Sequence, residues 1–214
     1  MSKRPFRVSA LLACLAFGTA VQGQTPLDSY LEHLKTLRTE FSQVVTDGKG
    51  REVQNAKGKL VIVRPGRFRW ELTPEGGGGN NSPQLMVADG RNLWFYDRDL
   101  EQVSVKAATS ALTATPAGLL SGDGNIRELF TVAPAGRKEG LDWVLVTPKE
   151  SDADFREARL AFAKSELKRM VLKDKLGQTV RLDFVTSERN PPVAEAEMKF
   201  TPPSGADVIG TPVK

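Results

Sequence analysis

The clearest pattern in the chain is a pair of apolar segments on either side of a proline–glycine break. Residues 60–63 are apolar at every position, which is typical of a strand buried on both faces. Residues 67–72 alternate instead, so one face of this second strand would carry Phe68, Trp70 and Leu72. Pro65 cannot donate to a sheet ladder and Gly66 tolerates unusual backbone angles, so we expect the chain to bend there.

Arg64 lies where the buried segment meets this break. A lone arginine beside apolar strand residues is unfavourable unless acceptors satisfy its hydrogen bonds. Arg64 could therefore end a strand in solvent, or it could bind another element of the fold as a latch. The local pattern leaves both interpretations open.

A period of two residues continues along most of the chain and predicts short strands between turns that are rich in glycine and aspartate. The composition of residues 154–175 favours a helix, but their alternation favours two strands with a turn near residues 165–166, which we predict. This succession of strands indicates an antiparallel sandwich or barrel, followed by an extended tail over residues 202–209. The other predicted strands cover residues 39–45, 52–56, 60–63, 67–72, 85–88, 92–97, 101–105, 130–132, 141–147, 179–186 and 198–201.

Three short helices interrupt this pattern. The first begins at a Thr-Pro pair at residues 25–26 and is amphipathic. The second begins at a similar pair at residues 115–116 and carries Leu119 and Leu120, although two glycines weaken it. A third is predicted over residues 125–129. The last two pieces are small and apolar on one side, so they could cover a cavity or simply pack in the core.

The segment of residues 92–97 is aromatic on both faces. Leu93 and Phe95 would share one face, and Trp94 and Tyr96 would share the other. One face would fill the core and the other would need a second apolar partner. A shift of one residue exchanges the two pairs, so the pattern does not say which pair lines the interior.

Composition excludes some classes of function. The 214 residues suffice for one domain with a sizeable core. The formal net charge is +4, but Lys3, Arg4 and Arg7 of a predicted leader contribute most of it, so nucleic acid is not an expected partner. His33 is the only histidine, and we expect no metal site. Residues 76–79 are all glycine but lack the Lys and Ser/Thr of a phosphate-binding loop.

The N-terminus is typical of a secretory leader. Basic residues precede an apolar stretch at residues 8–17, which is too short to span a bilayer. We predict a signal peptide over residues 1–23 and a single domain over residues 24–214, with cleavage after Ala20 as an alternative. Cys14 ends a Leu-Leu-Ala-Cys sequence like that of a bacterial lipoprotein, so an acylated Cys14 is the other possibility. If Cys14 is only part of the leader, the mature chain has no cysteine and no disulfide.

Several short segments are informative through their order and spacing. They are residues 41–48 (FSQVVTDG), 63–70 (VRPGRFRW), 89–90 (DG), 93–96 (LWFY), 101–102 (EQ), 115–116 (TP), 146–149 (VTPK) and 200–205 (FTPPSG). Together they resemble the periplasmic outer-membrane lipoprotein carrier family (LolA). The chain departs from the family pattern in its long glycine segment at residues 76–79 and in Gly66 and Arg67, which precede Phe68.

The resemblance implies a mainly β fold with a few helices (α+β): an unclosed, strongly curved antiparallel β-barrel with helices that form a lid over an apolar cavity. It also implies a periplasmic carrier without cofactor or enzymatic activity, and we expect a monomer. The cargo would be acylated lipoproteins. An inner-membrane ATP-binding-cassette transporter would release them to the carrier, and an outer-membrane lipoprotein receptor would accept them.

The resemblance also assigns roles to residues. Arg64 matches the functional arginine of the family, which would hold the lid by hydrogen bonds to helix carbonyls. Phe68 matches a position that is implicated in cargo transfer at the cavity mouth. The candidates for contact with acyl chains are Phe41, Leu60, Ile62, Trp70, Leu93, Phe95, Leu119 and Leu120.

Three other functions compete with the carrier. A lipid-anchored receptor of the same fold would carry an acylated Cys14, which mass spectrometry of the mature N-terminus would reveal. A regulator that senses stray lipoproteins would need a transmembrane segment or a second domain, and the sequence indicates neither. An enzyme could use the carboxylates of Asp97, Asp99 and Glu101, but carboxylates at strand ends are usually solvated.

Overall fold

The computed structural model describes residues 23–76, 82–110, 115–122, 126–151 and 153–213. Most of the predicted leader, with Cys14, lies outside these ranges, as do Asn125 and the last three glycines of the tetraglycine segment. The described helices are α1 (Pro26–Glu32), α2 (Pro116–Ser121) and α3 (Ile126–Leu129). Two 3-10 turns cover Ala108–Ser110 and Glu195–Met198.

The strands of the described ranges form one sheet. They are β1 (Thr36–Thr46), β2 (Glu52–Val63), β3 (Arg67–Glu75), β4 (Gln84–Asp89), β5 (Asn92–Asp97), β6 (Gln102–Ala107), β7 (Phe130–Lys138), β8 (Leu141–Pro148), β9 (Phe155–Ala163), β10 (Glu166–Asp174), β11 (Thr179–Arg189) and β12 (Asp207–Ile209). Their order across the sheet is β12-β6-β5-β4-β3-β2-β1-β11-β10-β9-β8-β7, and β12 alone of these runs parallel to its neighbour. The edge strands β12 and β7 do not pair with each other. The sheet is therefore open, which confirms the predicted mainly β fold with an unclosed barrel.

The sheet wraps around the helices. Apolar side chains from β4 at one end to β7 at the other join α1 and α2 in one continuous cluster of buried residues, the inner cluster. Register shifts in β1, β7 and β10 bend the strands, because a bulged residue increases local twist. The helices therefore lie on the concave face, as the resemblance implied.

The proline–glycine break is the turn of a hairpin between β2 and β3. Arg64–Pro65 is a cis peptide bond, and Gly66 has a φ of +70°. The alternation predicted for residues 67–72 is confirmed, because Phe68, Trp70 and Leu72 are buried in the inner cluster. The strands predicted at residues 52–56 and 60–63 are one continuous strand in the structure, which passes through Gly58.

Gly58 permits this continuity by leaving room for an aromatic ring. The residue pairs with Phe41 of β1, and a Cβ atom at Gly58 would lie 2.1 Å from the Phe41 Cζ. The Phe41 ring thus covers the glycine and packs against Trp70, with 4.5 Å between the ring centroids. An aromatic side chain over a strand glycine compensates for the missing side chain.

A second cluster of buried residues, the outer cluster, lies on the convex face of β4, β5 and β6. Trp94 belongs to it, and its ring centroid lies 5.6 Å from that of Phe200 in the C-terminal segment. Tyr96 packs on the same cluster, whereas Leu93 packs on the inner one. The aromatic segment therefore uses both faces, and the second apolar partner that it required is the chain's own C-terminal segment.

The C-terminal segment differs from the prediction. The strand predicted over residues 198–201 is wrong: Glu195–Met198 is a 3-10 turn, and the next three residues are not in a strand. Ion pairs of Glu195 with Arg67 and of Glu197 with Arg38 hold this turn against the sheet, and Met198 is buried beneath it. Apolar residues alternate here because the segment packs on the sheet face rather than pairing with a strand. The two strands predicted within residues 154–175 are confirmed as β9 and β10.

Candidate functional site

The inner face of β1, β2 and β3 brings together five of the candidate cargo residues. Register pairs place Leu60 opposite Trp70 and Ile62 opposite Phe68. Phe41 of β1 reaches across Gly58 of β2 and packs on Trp70. All five side chains are nearly inaccessible to solvent. Aliphatic and aromatic pairs of this kind stabilise a sheet and leave a smooth apolar surface.

Helix α2 covers this surface. Thr115 caps it, because the Thr115 side-chain oxygen accepts a hydrogen bond from the Gly118 N–H at 2.9 Å. Leu119 and Leu120 point into the inner cluster and are 2% and 1% exposed. The helix contacts β2 and β3. Side chains of α1 and α2 therefore occupy the hollow where the resemblance implied a cavity, and the two helices close it in this arrangement.

The cover is less complete over β4 and β5. Met86 and Leu93 pack against the inner cluster but are only half-buried. Phe95 pairs with Met86 across the two strands, lies on the same face and is also half-buried. These three residues form a partly exposed apolar margin at the side of the hollow.

A pocket of about 790 Å³ lies elsewhere, on the convex face beside the 3-10 turn at Glu195–Met198. Charged side chains dominate its wall, among them Arg38, Arg69, Glu71 and Glu197. Such a lining does not suit an acyl chain, because removing charges from water without new partners is unfavourable. The apolar inner face is the better candidate for a lipid.

Arg64 binds both helices from the β2–β3 hairpin. Its Nε donates to the Gly122 carbonyl just after α2 at 2.8 Å, and its Nη1 donates to the Leu31 carbonyl in α1 at 2.6 Å. A longer bond of 3.4 Å reaches the Leu34 carbonyl. The last carbonyls of a helix have no partner within it and carry partial negative charge. The structure thus places Arg64 on another element and not at a solvated strand end.

The backbone of the hairpin adds to this contact. The Gly66 N–H donates to the Ser121 carbonyl at 2.7 Å, and the Arg64 N–H donates to the Lys35 carbonyl at 2.8 Å. Phe68 lies two residues further along β3, at the hairpin end of the strand. Its side chain is fully buried in the inner cluster. Phe68 is therefore near the hairpin in the chain, but its ring does not reach the surface.

The structure adds an ion pair that sequence reasoning missed. Arg127 of α3 donates from Nη2 to Asp28 Oδ2 at 2.8 Å and from Nε to Asp28 Oδ1 at 3.3 Å. Burial alone would raise the pKa of Asp28, but hydrogen bonds from Arg127 and Thr25 outweigh it and hold the pKa below its ordinary value of 3.8. The two residues are 99 positions apart in the chain. No spacing rule could have connected them.

A second set of contacts missed by sequence reasoning fastens α1 to the end of β11. Arg189 donates to the Tyr30 carbonyl at 2.8 Å, and its guanidinium lies 4.7 Å from the centroid of the Tyr30 ring. The Asn190 side chain donates to the His33 carbonyl at 3.0 Å and accepts from the Lys35 N–H at 2.8 Å. Helix α1 is thus fixed to the sheet independently of α2 and α3.

Asp97, the first residue of the acidic cluster at residues 97–101, has a structural role. Asp97 is buried, and its Oδ1 accepts hydrogen bonds from the Ser82 hydroxyl, the Asp99 N–H and the Leu100 N–H. A carboxylate that bonds to the backbone just after it stabilises a turn. Within the described part of the chain, no group of three or more histidine, cysteine, aspartate or glutamate side chains is placed to bind a metal ion.

An open antiparallel sheet whose apolar concave face is covered by helices defines a class of half-barrel proteins. Comparison with known families shows which family of that class the chain belongs to. The model of the family "Outer membrane lipoprotein carrier protein LolA" matches residues 32–201. The chain belongs to this family, which confirms the resemblance.

Individual relatives agree with this assignment. An outer-membrane lipoprotein carrier protein of Dechloromonas aromatica is 43% identical over 201 residues, which cover 94% of this chain and 92% of that protein. Another such protein, from Methylobacillus flagellatus, is 36% identical over 88% of this chain and 89% of its own length. The crystal structure of an uncharacterised conserved protein from Thermus thermophilus shares the fold, with a TM-score of 0.54 over 86% of this chain and 96% of the other at 14% identity. None of the described helices is long and apolar enough to cross a membrane.

Proposed function

We propose that the protein is a periplasmic carrier, which receives lipoproteins released from the inner membrane by an ATP-binding-cassette transporter. It shields their acyl chains against the inner face of the sheet and delivers them to a lipid-anchored receptor at the outer membrane. Family membership and the names of the relatives support this role. The observation that carries the proposal is a continuous apolar concave face under helices that polar contacts hold in place.

The energetics of acyl chains explain why such a face is needed. Each buried methylene group contributes about 0.8 kcal/mol, so three acyl chains with about 40 methylenes represent on the order of 30 kcal/mol. A carrier therefore needs apolar area and not a catalytic group. Acyl chains that displaced Leu119 and Leu120 of α2 would replace one set of apolar contacts with another. The net affinity of the carrier for its cargo would then stay moderate, which suits later delivery.

In this proposal, Arg64 stabilises the closed form, which competes with cargo binding. Its hydrogen bonds to Leu31 and Gly122 exist only while α1 and α2 lie together over the sheet. Cargo competes with this closed form, so its apparent affinity falls by the fraction of molecules that are open. Release of cargo restores the bonds of Arg64. The empty carrier is thereby stabilised without any need for ATP.

The partly exposed margin formed by Met86, Leu93 and Phe95 is the place where we expect an acyl chain to enter. These residues continue the apolar face beyond the helices, and a chain that touches them gains burial before the helices move. Phe68 and Trp70 lie deeper and would meet cargo only after α2 is displaced.

The proposal is tested with inner-membrane vesicles that hold a radiolabelled lipoprotein. The mature protein should draw the lipoprotein into the soluble fraction as a complex when the transporter and ATP are present. A matched sample without the protein should leave it in the vesicles. A mature protein that stays free while the lipoprotein remains membrane-bound would contradict the carrier role. Mass spectrometry of the same preparation decides between a free N-terminus and an acylated Cys14.

A further inference from the structure

The helical cover is held at two ends of α1, and only one of them involves Arg64. Arg64 binds the carbonyls of Leu31 and Leu34 at the C-terminal end of α1. Asp28 lies in the first turn at the other end and forms a two-point ion pair with Arg127 of α3. Arginine and carboxylate groups that meet in this forked geometry form strong, directional hydrogen bonds.

Helix α1 is the fixed partner in both contacts. Arg189 and Asn190 bind its backbone from the end of β11. Its apolar side chains Leu27, Tyr30 and Leu31 are buried against the sheet. In contrast, α3 has no buried residue, and Leu129 at its end is 37% exposed. Ile126 is the one apolar residue of α3 that packs against the inner cluster, and it is only half-buried. Polar contacts of Arg127 and Leu129 therefore contribute much of what holds α3 in place.

Each partner of the ion pair keeps another hydrogen bond when the pair breaks. Asp28 also accepts hydrogen bonds from the Thr25 N–H and the Thr25 hydroxyl, both at 2.7 Å, so α1 keeps its cap when Arg127 leaves. Arg127 also donates to the Val132 carbonyl at 3.1 Å, and this bond lies outside α1. Each group thus retains a partner after separation.

We infer that Arg127 is a positioning residue that keeps the α3 end of the cover closed, and that cargo entry requires release of both Arg127 and Arg64. The inference rests on the proposed carrier function. Arg64 holds α2 to one end of α1 and Arg127 holds α3 to the other, so both helices separate from α1 only when both contacts are lost. Loss of either contact alone would leave the other helix attached to α1.

The experiment compares the mature protein with the variants Arg127→Gln and Arg127→Lys by hydrogen–deuterium exchange. Exchange of the amides of residues 126–129 should accelerate about fivefold in Arg127→Gln, as expected for loss of one partly exposed ion pair. Exchange of residues 115–122 should change less, because Arg64 still holds α2. Arg127→Lys keeps the charge and should be intermediate. Amides of α1 should be unchanged. The control is Arg137→Gln, which removes an exposed pair with Asp142.

Uptake of a fluorescent long-chain fatty acid gives the second readout. Its rate should rise in Arg127→Gln and in Arg64→Leu, and the factors should multiply in the double variant because both contacts oppose the same opening. Unchanged exchange of residues 126–129 in Arg127→Gln would overturn the inference, and so would an equal acceleration in α1 and in the rest of the sheet. Exchange needs no cargo. If neither the parent nor any variant takes up the fatty acid, the carrier role is contradicted. The exchange result then still tests whether Arg127 holds α3.

Discussion

The Arg64 guanidinium donates a hydrogen bond to the Gly122 carbonyl, and this 2.8 Å contact joins the β2–β3 hairpin to the end of α2. The same side chain binds α1, so one residue connects the sheet with two helices. The carbonyls of Leu31 and Gly122 can accept hydrogen bonds from water when the guanidinium leaves, so opening exchanges one set of partners for another. This arrangement suits a contact that must form and break repeatedly.

Replacement of Arg64 should uncouple loading from delivery. Arg64→Leu loses hydrogen bonds from a charged donor, and these contribute about 2 kcal/mol to the closed form, so the open form should gain roughly 30-fold. The variant should accept lipoprotein from vesicles but transfer it poorly to the receptor. Transfer is measured as radiolabel that moves to receptor-bearing liposomes.

Arg51→Leu is the matched control for this change, because Arg51 forms an exposed ion pair with Asp47 in the β1–β2 turn, at the opposite end of β2 from Arg64. It should transfer cargo normally. Normal transfer by Arg64→Leu would remove the basis for the latch role.

Substitution of Gly58 should destabilise the sheet. In Gly58→Ala, the new methyl group would meet the Phe41 ring and the Glu71 carbonyl oxygen, which lies 2.7 Å from the ideal Cβ position. Overpacking of this kind lowers the free energy of unfolding by about 1–3 kcal/mol. Urea denaturation followed by tryptophan fluorescence measures the change.

Gly48→Ala is the comparison, since a Cβ at Gly48 makes only an ordinary contact at 3.7 Å. It should alter stability little. Addition of Phe41→Leu to Gly58→Ala should recover part of the loss by making room for the methyl group. Equal stability of Gly58→Ala and the parent would show that the Phe41 ring moves freely.

The ion pair of Asp28 with Arg127 should make stability depend on pH. Because the pKa of Asp28 is lower in the folded protein than in the unfolded chain, the pair stabilises the fold above pH 3.8 and loses this effect as pH falls below it. At pH 7, Asp28→Asn should lower the free energy of unfolding by about 1 kcal/mol relative to the parent.

Urea titrations at pH 7 and pH 3 test this expectation. The difference between Asp28→Asn and the parent should shrink at pH 3, because Asp28 of the unfolded parent chain is then largely protonated and the lowered pKa of the folded state adds less stability. Asp142→Asn removes an exposed carboxylate as a control. A difference that is the same at both pH values would mean that the charge of Asp28 has no part in the effect.

Substitutions in the outer cluster should affect stability alone, whereas substitutions in the inner cluster should also affect uptake of lipid. Phe200→Ala removes the ring that covers Trp94 and Tyr96 on the convex face, and this should cost about 2 kcal/mol of unfolding free energy. Uptake of a fluorescent fatty acid should be unaffected below the unfolding transition. Leu119→Ala, which shortens a side chain of the inner cluster, should change uptake. Impaired uptake by fully folded Phe200→Ala would contradict this division.

Local patterns predicted the elements of the fold well but not the contacts between them. Alternation over residues 67–72 placed Phe68 and Trp70 correctly, because one face of that strand is buried and the other is not. The same reasoning failed at residues 198–201, where Met198 is buried by a turn that ion pairs hold to the sheet. Periodicity shows which residues face the core. A strand and a loop that packs on the sheet can give the same alternation, so the pattern alone does not distinguish them.

The candidate site shows the same limit. The pattern around Arg64 indicated that the side chain needed acceptors, but the acceptors are backbone carbonyls, which no sequence pattern distinguishes. The partner of Arg127 lies 99 residues away in α1 and is reached only because the sheet curves around the helices. Such pairs follow from the tertiary fold and have no local signal.

The central claim is that acyl chains bind to the concave face, and photocrosslinking at two adjacent residues of β5 tests it most directly. Phe95 lies on the concave face, and Tyr96 packs on the convex outer cluster, although both are half-buried aromatic residues. Benzoylphenylalanine at either position is exposed to light after loading with a lipoprotein that carries radiolabelled acyl chains. Our account predicts a labelled adduct from position 95 and none from position 96. Equal labelling at both positions, or labelling at position 96 alone, would contradict it.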